Sequence, residues 1–168
     1  MPAPRFDDKV VFQVAFVTSD IDRTSDWCCR FFDLPPPRIV QTAERSAAQT
    51  EYLGEPSDAR ARLAFFEFGN VTLELIEPND KPSCWREFLD RNGPGFHHFA
   101  FKIRGMKEKV AAFGRDGFPL LQRGEFEGGR YAYIDTEPQL GALIELLEFD
   151  RELNQTANAA ETEPAGNP

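Results

Sequence analysis

The chain has 168 residues, 41% of them hydrophobic, and a formal net charge of −9. This size and composition suit one compact domain or two small half-domains with a real core. The negative charge argues against nucleic acids and anionic membranes as partners, and no apolar run is long enough to span a bilayer.

The N-terminus and the cysteines predict a cytoplasmic protein. The opening sequence MPAPRFDDKVVFQ lacks the apolar run of a signal peptide. Cys28, Cys29 and Cys84 show no CxxC spacing, which favours reduced thiols packed in the interior.

The first half of the chain, residues 10–78, predicts a β-α-β-β-β module. A strand over 13–16 precedes an amphipathic helix over Ile21–Phe32, which Ser19 or Asp20 is suited to cap. The remaining predicted elements are a strand at 38–43, an additional loop at 42–59, a strand at 61–69 and a closing strand at 71–77.

The second half, residues 95–149, predicts the same order after a linker over 79–94. The linker is expected to hold a short helix at 85–89, and residues 150–168 are expected to form a disordered tail. The predicted elements of this module are a strand at 95–103, a helix at 106–116, and strands at 118–123, 130–135 and 143–149.

Two sequence matches indicate that the halves are copies of one module. QVAF at residue 13 matches HFAF at residue 98, and LELIE at residue 73 matches IELLE at residue 144. Each half places one helix on one face of its sheet and leaves the other face open. The predicted fold is therefore α+β, with two tandem βαβββ modules forming a cupped mixed sheet around a cleft.

Four polar side chains are predicted to face this cleft at equivalent positions of the two modules. Strand side chains alternate between faces, and the alternation places Gln13, Glu74, His98 and Glu145 on the cupped side. By the same rule His97 is expected on the opposite, helix-covered face, with a structural or supporting role. His98 is the functional candidate of the two.

One nitrogen and three oxygen donors suit a divalent metal ion, with zinc, nickel, cobalt, manganese and iron(II) as candidates. A carboxylate in mid-strand among Leu and Ile is costly unless it is paired or binds metal. The alternative is that Glu74 and Glu145 are exposed on an open sheet face and bind nothing.

At these residues the chain resembles the vicinal oxygen chelate superfamily. That group includes glyoxalase I, methylmalonyl-CoA epimerase, extradiol dioxygenases and fosfomycin or bleomycin resistance proteins. The resemblance covers residues 10–149, and its closest local matches, FGNVTLELIEP, GFHHFAFKI and GALIELLEF, are to the epimerases.

The resemblance implies the same four metal ligands: Gln13, Glu74, His98 and Glu145. This ligand set is similar to that of glyoxalase I, but Val17 stands where that enzyme carries an arginine for glutathione. The additional acid/base carboxylate of epimerases has no clear counterpart, although Glu67 lies nearby.

The activity implied is proton transfer next to a carbonyl through a metal-stabilised enolate, as in an isomerase, an epimerase or a glyoxalase-like lyase. Glu145 is the first candidate for the base and Glu74 the second. The expected partners are a small substrate with vicinal oxygens and a second copy of the chain in a homodimer. The alternative function is a binding or resistance protein of the same fold without catalysis.

Overall fold

A computed structural model describes residues 5–7 and 9–150 of the chain. The predicted tail at 150–168 falls almost entirely outside these residues. The first half comprises β1 (Gln13–Val17), α1 (Ile21–Phe32), β2 (Val40–Gln41), α2 (Arg45–Ala48), β3 (Glu51–Tyr52), β4 (Glu55–Pro56), β5 (Ala61–Glu67) and β6 (Thr72–Pro78).

The second half repeats the strand–helix–three-strand order after a connecting helix. Its elements are α3 (Cys84–Asn92), β7 (Gly95–Lys102), α4 (Met106–Arg115), β8 (Leu120–Phe126), β9 (Gly129–Ile134), α5 (Glu137–Leu140) and β10 (Leu143–Phe149).

The ten strands of the described residues form one curled mixed sheet, in the order β2-β5-β6-β1-β7-β10-β9-β8-β3-β4. The two modules join at its middle, where β1 and β7 pair antiparallel. Within the modules, β1 pairs parallel with β6 and β7 pairs parallel with β10. The predicted α+β fold with a cupped sheet shared by two βαβββ modules is confirmed, while the module boundaries stay predictions.

Helices α1 and α4 cover one side of the sheet, which we call the outer face. Helix α1 begins after Asp20, whose carboxylate accepts a hydrogen bond from the Arg23 backbone N–H at 3.0 Å. It buries Ile21 against Leu75 of β6, and α4 buries Phe113 in the other module.

Helix α3 covers the opposite side, which we call the inner face. Its Trp85 and Phe88 pack with Ala15, Ile76 and Leu143 in a shared core. The expectation that this face is left open was therefore wrong. The sequence predicts only a short helix at 85–89 of the linker, because the pattern of a helix does not say which surface it packs against.

Residues 42–59, which we call the strap, are predicted from the sequence as a loop. In the structure they contain α2, β3 and β4. Strand β2, just before the strap, pairs with β5 at one end of the sheet, whereas β3 within it pairs with β8 near the other end. The strap therefore crosses from one end of the curled sheet to the other. The strand expected at 38–43 is reduced to two residues because the chain leaves the sheet here.

Candidate metal centre

Four neighbouring strands in the middle of the sheet carry the predicted ligands: Gln13 on β1, Glu74 on β6, His98 on β7 and Glu145 on β10. Ala15 is paired with both Glu74 and His98, and Ala100 is paired with both Gln13 and Glu145. Paired residues project on the same side of a sheet. The four side chains consequently occupy two adjacent rows of the inner face.

Three of these side chains converge on one point. One ligand atom from each of Glu74, His98 and Glu145 lies within 4.8 Å of the others. His98 Nε2 is 3.1 Å from Glu145 Oε2 and 3.6 Å from Glu74 Oε2. Gln13 lies in the next row of the same face and is 4% exposed.

The centre is buried, and two of its atoms lack hydrogen bonds. His98 is fully buried, and Glu74 and Glu145 are 6% and 5% exposed. Neither His98 Nε2 nor Glu145 Oε2 has a hydrogen-bond partner among the described residues, because their 3.1 Å contact does not have hydrogen-bond geometry. Buried polar atoms without partners are rare and call for an explanation.

A divalent metal ion bound between these side chains would satisfy both atoms. Two donors held at about 2.1 Å from one ion, at angles of about 90–110°, lie about 3.0–3.4 Å apart. The separations of 3.1 and 3.6 Å around His98 Nε2 are close to this range. The residues therefore fit the kind of ion that the sequence predicts.

The electrostatics of the centre also favour a cation. Burial, and then the neighbouring Glu145, raise the pKa of Glu74 well above its usual value of 4.5. Two carboxylates in an apolar interior cannot both ionise at low cost without a compensating positive charge. Without that charge, Glu74 keeps its proton to a higher pH than an exposed glutamate does.

His97 lies on the inner face, contrary to the prediction from strand alternation. The pairing of β1 with β7 shifts between Ala15 and Phe16: Ala15 is opposite His98, but Phe16 is opposite Phe96. His97 is the additional residue of a β-bulge, which turns two consecutive side chains to one side. Its Nδ1 is 2.9 Å from His98 Nδ1, and the ring packs edge-on against Phe88 of α3.

Burial, and then the neighbouring His98, lower the pKa of His97 well below its usual value. The backbone of Cys84 acts in the opposite direction but is the weaker influence. His97 is therefore a neutral imidazole at physiological pH. His97 lies behind His98, and its structural or supporting role stays a prediction.

Several residues beside the centre were not among the sequence candidates. Tyr133 of β9 is paired with Glu145, and its hydroxyl accepts a hydrogen bond from Trp85 Nε1 at 3.1 Å. The Cys84 backbone N–H donates to Gln122 Oε1 at 2.9 Å. Strand alternation could have placed Tyr133 on the inner face, whereas the position of α3 is visible only in the tertiary structure.

These neighbours are neutral groups. Burial, followed by the charge of Glu145, raises the pKa of both Cys84 and Tyr133 well above their ordinary values. The thiol and the phenol therefore keep their protons next to the carboxylates. The centre has hydrogen-bonding neighbours that add no negative charge.

A cavity of about 670 Å³ lies elsewhere, between the strap, α4 and β8. None of the four candidate ligands lines it. Two of its three lining cations, Arg123 and Arg130, form ion pairs with Glu51 and Glu148, and the third is Lys107. We therefore place the candidate chemistry at the buried centre.

A family model described as the Glyoxalase/Bleomycin resistance protein/Dioxygenase superfamily matches residues 12–133. The Uncharacterized protein YqjC of Bacillus subtilis (strain 168) is 34% identical over 94 residues, which cover 54% of this chain and 67% of that protein.

Solved structures share the fold at low sequence identity. A hypothetical protein from Bacillus halodurans C-125 is 18% identical, with a TM-score of 0.55, over 94% of this chain and 97% of that chain. The methylmalonyl-CoA epimerase from Mycobacterium tuberculosis is 19% identical, with a TM-score of 0.55, over 84% of this chain and 91% of that chain.

A methylmalonyl-CoA epimerase in complex with methylmalonyl-CoA and NH4+ is 19% identical, with a TM-score of 0.59, over 84% of this chain and 95% of that chain.

No helix in the described part of this chain is long and apolar enough to cross a membrane. The family match extends over more than half of the chain, and the cupped sheet agrees with it. The chain belongs to the Glyoxalase/Bleomycin resistance protein/Dioxygenase superfamily, as its resemblance to vicinal oxygen chelate proteins predicts.

Proposed function

We propose that this protein is a divalent-metal-dependent enzyme that transfers a proton at a carbon next to a carbonyl group. The observation that carries the proposal is the convergence of Glu74, His98 and Glu145 within 4.8 Å, in a buried centre with two unpartnered ligand atoms. Buried ionisable residues arranged in this way are typical of functional sites.

Gln13, Glu74, His98 and Glu145 are the residues that would hold the metal. The set has one imidazole nitrogen and three oxygens, which suits zinc, nickel, cobalt, manganese or iron(II). When bound, such an ion supplies positive charge that stabilises the enolate formed by proton loss next to a carbonyl. The protein supplies a dry site that strengthens this interaction.

Glu145 is the proposed base and Glu74 the second acid/base group. Glu145 Oε2 has no hydrogen-bond partner among the described residues, so this oxygen would be available to a substrate proton whenever it is not bound to the metal. The raised pKa of Glu74 means that this carboxyl keeps a proton more readily when no metal is bound, which makes it the second candidate. The base takes the proton from carbon, and its return to the same or another position completes the isomerisation.

The proposed substrate is a small molecule with two vicinal oxygens. The structures of methylmalonyl-CoA epimerases support this class, because one of them holds methylmalonyl-CoA. An isomerase, an epimerase and a glyoxalase-like lyase share the enolate, and we place this protein within that group. The homodimer and the cytoplasmic location stay predictions.

The test begins with the metal content of the purified protein. The metal-loaded protein is then incubated in deuterium oxide with 2-oxo acids, acyl-CoAs and hemithioacetals. We expect deuterium to enter the carbon next to the carbonyl of at least one substrate, which mass spectrometry detects.

Two outcomes would overturn the proposal. A protein that binds none of the five metals has no such centre. A protein that binds small molecules tightly, holds no metal and exchanges no hydrogen would be the sequestering alternative.

A further inference from the structure

The β-bulge on β7 creates a direct contact between two buried imidazoles. His97 Nδ1 and His98 Nδ1 lie 2.9 Å apart, and the residues are 1% and 0% exposed. On a regular strand the two side chains would project to opposite faces. The bulge is therefore what allows them to meet.

The hydrogen atoms of this pair follow from imidazole chemistry. A neutral imidazole has one N–H donor and one nitrogen acceptor. A hydrogen bond between the two Nδ1 atoms uses one hydrogen, which belongs to one ring while the other ring accepts it. The two rings therefore adopt opposite tautomers.

The contacts of His98 Nε2 select one of these two arrangements. This nitrogen lies among Glu74 and Glu145 at 3.6 and 3.1 Å but donates no hydrogen bond to either carboxylate. A nitrogen that binds a metal must present its lone pair. With the lone pair at Nε2, the hydrogen of His98 lies on Nδ1 and is donated to His97. The hydrogen of His97 then lies on its Nε2, which is buried and has no partner among the described residues.

We infer that His97 is a positioning residue: its Nδ1 accepts the Nδ1–H of His98 and so holds the His98 Nε2 lone pair toward the centre. The ring of His97 is itself held in place, with centroids 5.3 Å from Phe88 and 5.5 Å from Tyr133. Partners of this kind fix the tautomer and the orientation of metal-binding histidines. The inference rests on the proposed function, because metal binding at Nε2 is what assigns the hydrogen of His98 to Nδ1.

Three substitutions separate this role from simple packing. His97→Asn places an oxygen close to the position of the lost Nδ1, so the amide still accepts the His98 hydrogen. His97→Leu fills similar space without an acceptor. His97→Gln keeps a polar amide but moves its oxygen one bond further, toward the position of Nε2.

Affinity for zinc or cobalt is measured for the wild type and the three variants. We expect His97→Leu and His97→Gln to weaken binding by about 10–100-fold and His97→Asn by less than about threefold. Thermal unfolding is followed in parallel to identify any variant that fails to fold. Equal losses in folded Asn and Leu variants, or none in the Leu variant, would overturn the inference.

Nitrogen-15 NMR of the metal-free protein tests the hydrogen bond independently of metal binding and turnover. We expect the hydrogen of His98 on Nδ1 in the wild type and in His97→Asn, and a mixture of tautomers in His97→Leu. A wild-type protein with the hydrogen on His98 Nε2 would overturn the inference. A wild type that shows the expected tautomer but no metal-dependent exchange would contradict only the proposed function.

Discussion

Glu74 and Glu145 are acidic residues on a sheet face that also carries small and apolar residues such as Ala15, Ala100 and Leu143. Their carboxylates lie on either side of His98 Nε2, at 3.6 and 3.1 Å. An uncompensated charge in such a place is expensive. The arrangement is stable when the carboxyls share a proton or bind a cation, and both conditions lead to predictions.

The first prediction tests whether Glu145 acts as the base or only as a metal ligand. Glu145→Gln is expected to reduce deuterium exchange by about 10²–10⁴-fold, because an amide cannot accept the substrate proton. Metal content should fall less, since the amide oxygen still ligates. Glu74→Gln is expected to have the smaller effect on exchange, with both variants measured at saturating metal.

If Glu145→Gln retains full exchange, the base is another residue, with Glu74 and then Glu67 as the next candidates. A Glu145→Gln protein that loses its metal and its exchange to the same degree would instead assign Glu145 to metal binding.

The second prediction concerns the stability of the metal-free protein at different pH values. The pKa of Glu74 is raised above its usual 4.5 in the folded protein, so the folded state holds this proton more tightly than the unfolded state does. The resulting stability is fully present below the unfolded pKa and is lost as pH rises through the folded pKa. We therefore expect the free energy of unfolding to fall as pH rises from about 4.5 into the neutral and alkaline range.

Urea titrations across this range measure the effect. The fall should disappear in Glu74→Gln and after zinc addition, while the exposed Glu108→Gln should keep it. A metal-free protein whose stability rises steadily over the range would show that Glu74 does not dominate its pH dependence.

At the scale of elements, the strap and α3 explain why the centre is buried. The strap is attached to β8 by the Arg123–Glu51 ion pair at 2.6 and 2.8 Å. It is attached to α3 through a hydrogen bond from Tyr52 to Glu87. Exposed ion pairs of this kind stabilise by at most about 1 kcal/mol each. These two side-chain contacts add only a little to the backbone pairing of β3 with β8, which also holds the strap in place.

The third prediction is that closing the strap permanently blocks turnover. Glu51 and Arg123 are directly paired on β3 and β8, so their Cα separation suits a disulfide. In the double cysteine variant, oxidation is expected to lower exchange by at least about tenfold, and a reductant should restore it.

Each single cysteine variant serves as the control for loss of the ion pair. Full exchange by the oxidised double variant would show that substrate enters elsewhere.

At the scale of the whole molecule, a strongly acidic charge is combined with a cluster of exposed aromatic rings on α1. Trp27, Phe31 and Phe32 of α1 are 49%, 65% and 38% exposed, and Trp27 stacks on Phe31 at 4.7 Å. Exposed aromatic clusters are typical of protein interfaces. Asp26 and Arg30 lie on either side of Trp27 in the sequence of α1. In a dimer with two antiparallel copies of α1, Asp26 of one copy would face Arg30 of the other.

The fourth prediction is that this cluster forms the proposed homodimer. Phe31→Glu should convert the dimer to a monomer in sedimentation experiments, because it buries unpaired charges at the interface. Leu140→Glu, at a residue that is 59% exposed on α5, is the matched control and should stay dimeric. A wild-type monomer, or dimers in both variants, would exclude this interface.

The sequence by itself determined the paired modules and the face on which Gln13, Glu74, His98 and Glu145 lie. Alternation along a strand is a local property, and the repeat relates equivalent positions without any knowledge of packing. The same local rule failed at His97, because a bulge depends on how β1 and β7 pair.

Only the tertiary structure decided what encloses the centre. The packing of Trp85 against the inner face and the pairing of the strap with β8 join segments that are distant in the chain. The amphipathic pattern of α3 shows that it has a buried side, but not which surface receives it. The convergence of three ligand atoms within 4.8 Å likewise required the register of four strands, which contacts between both modules determine.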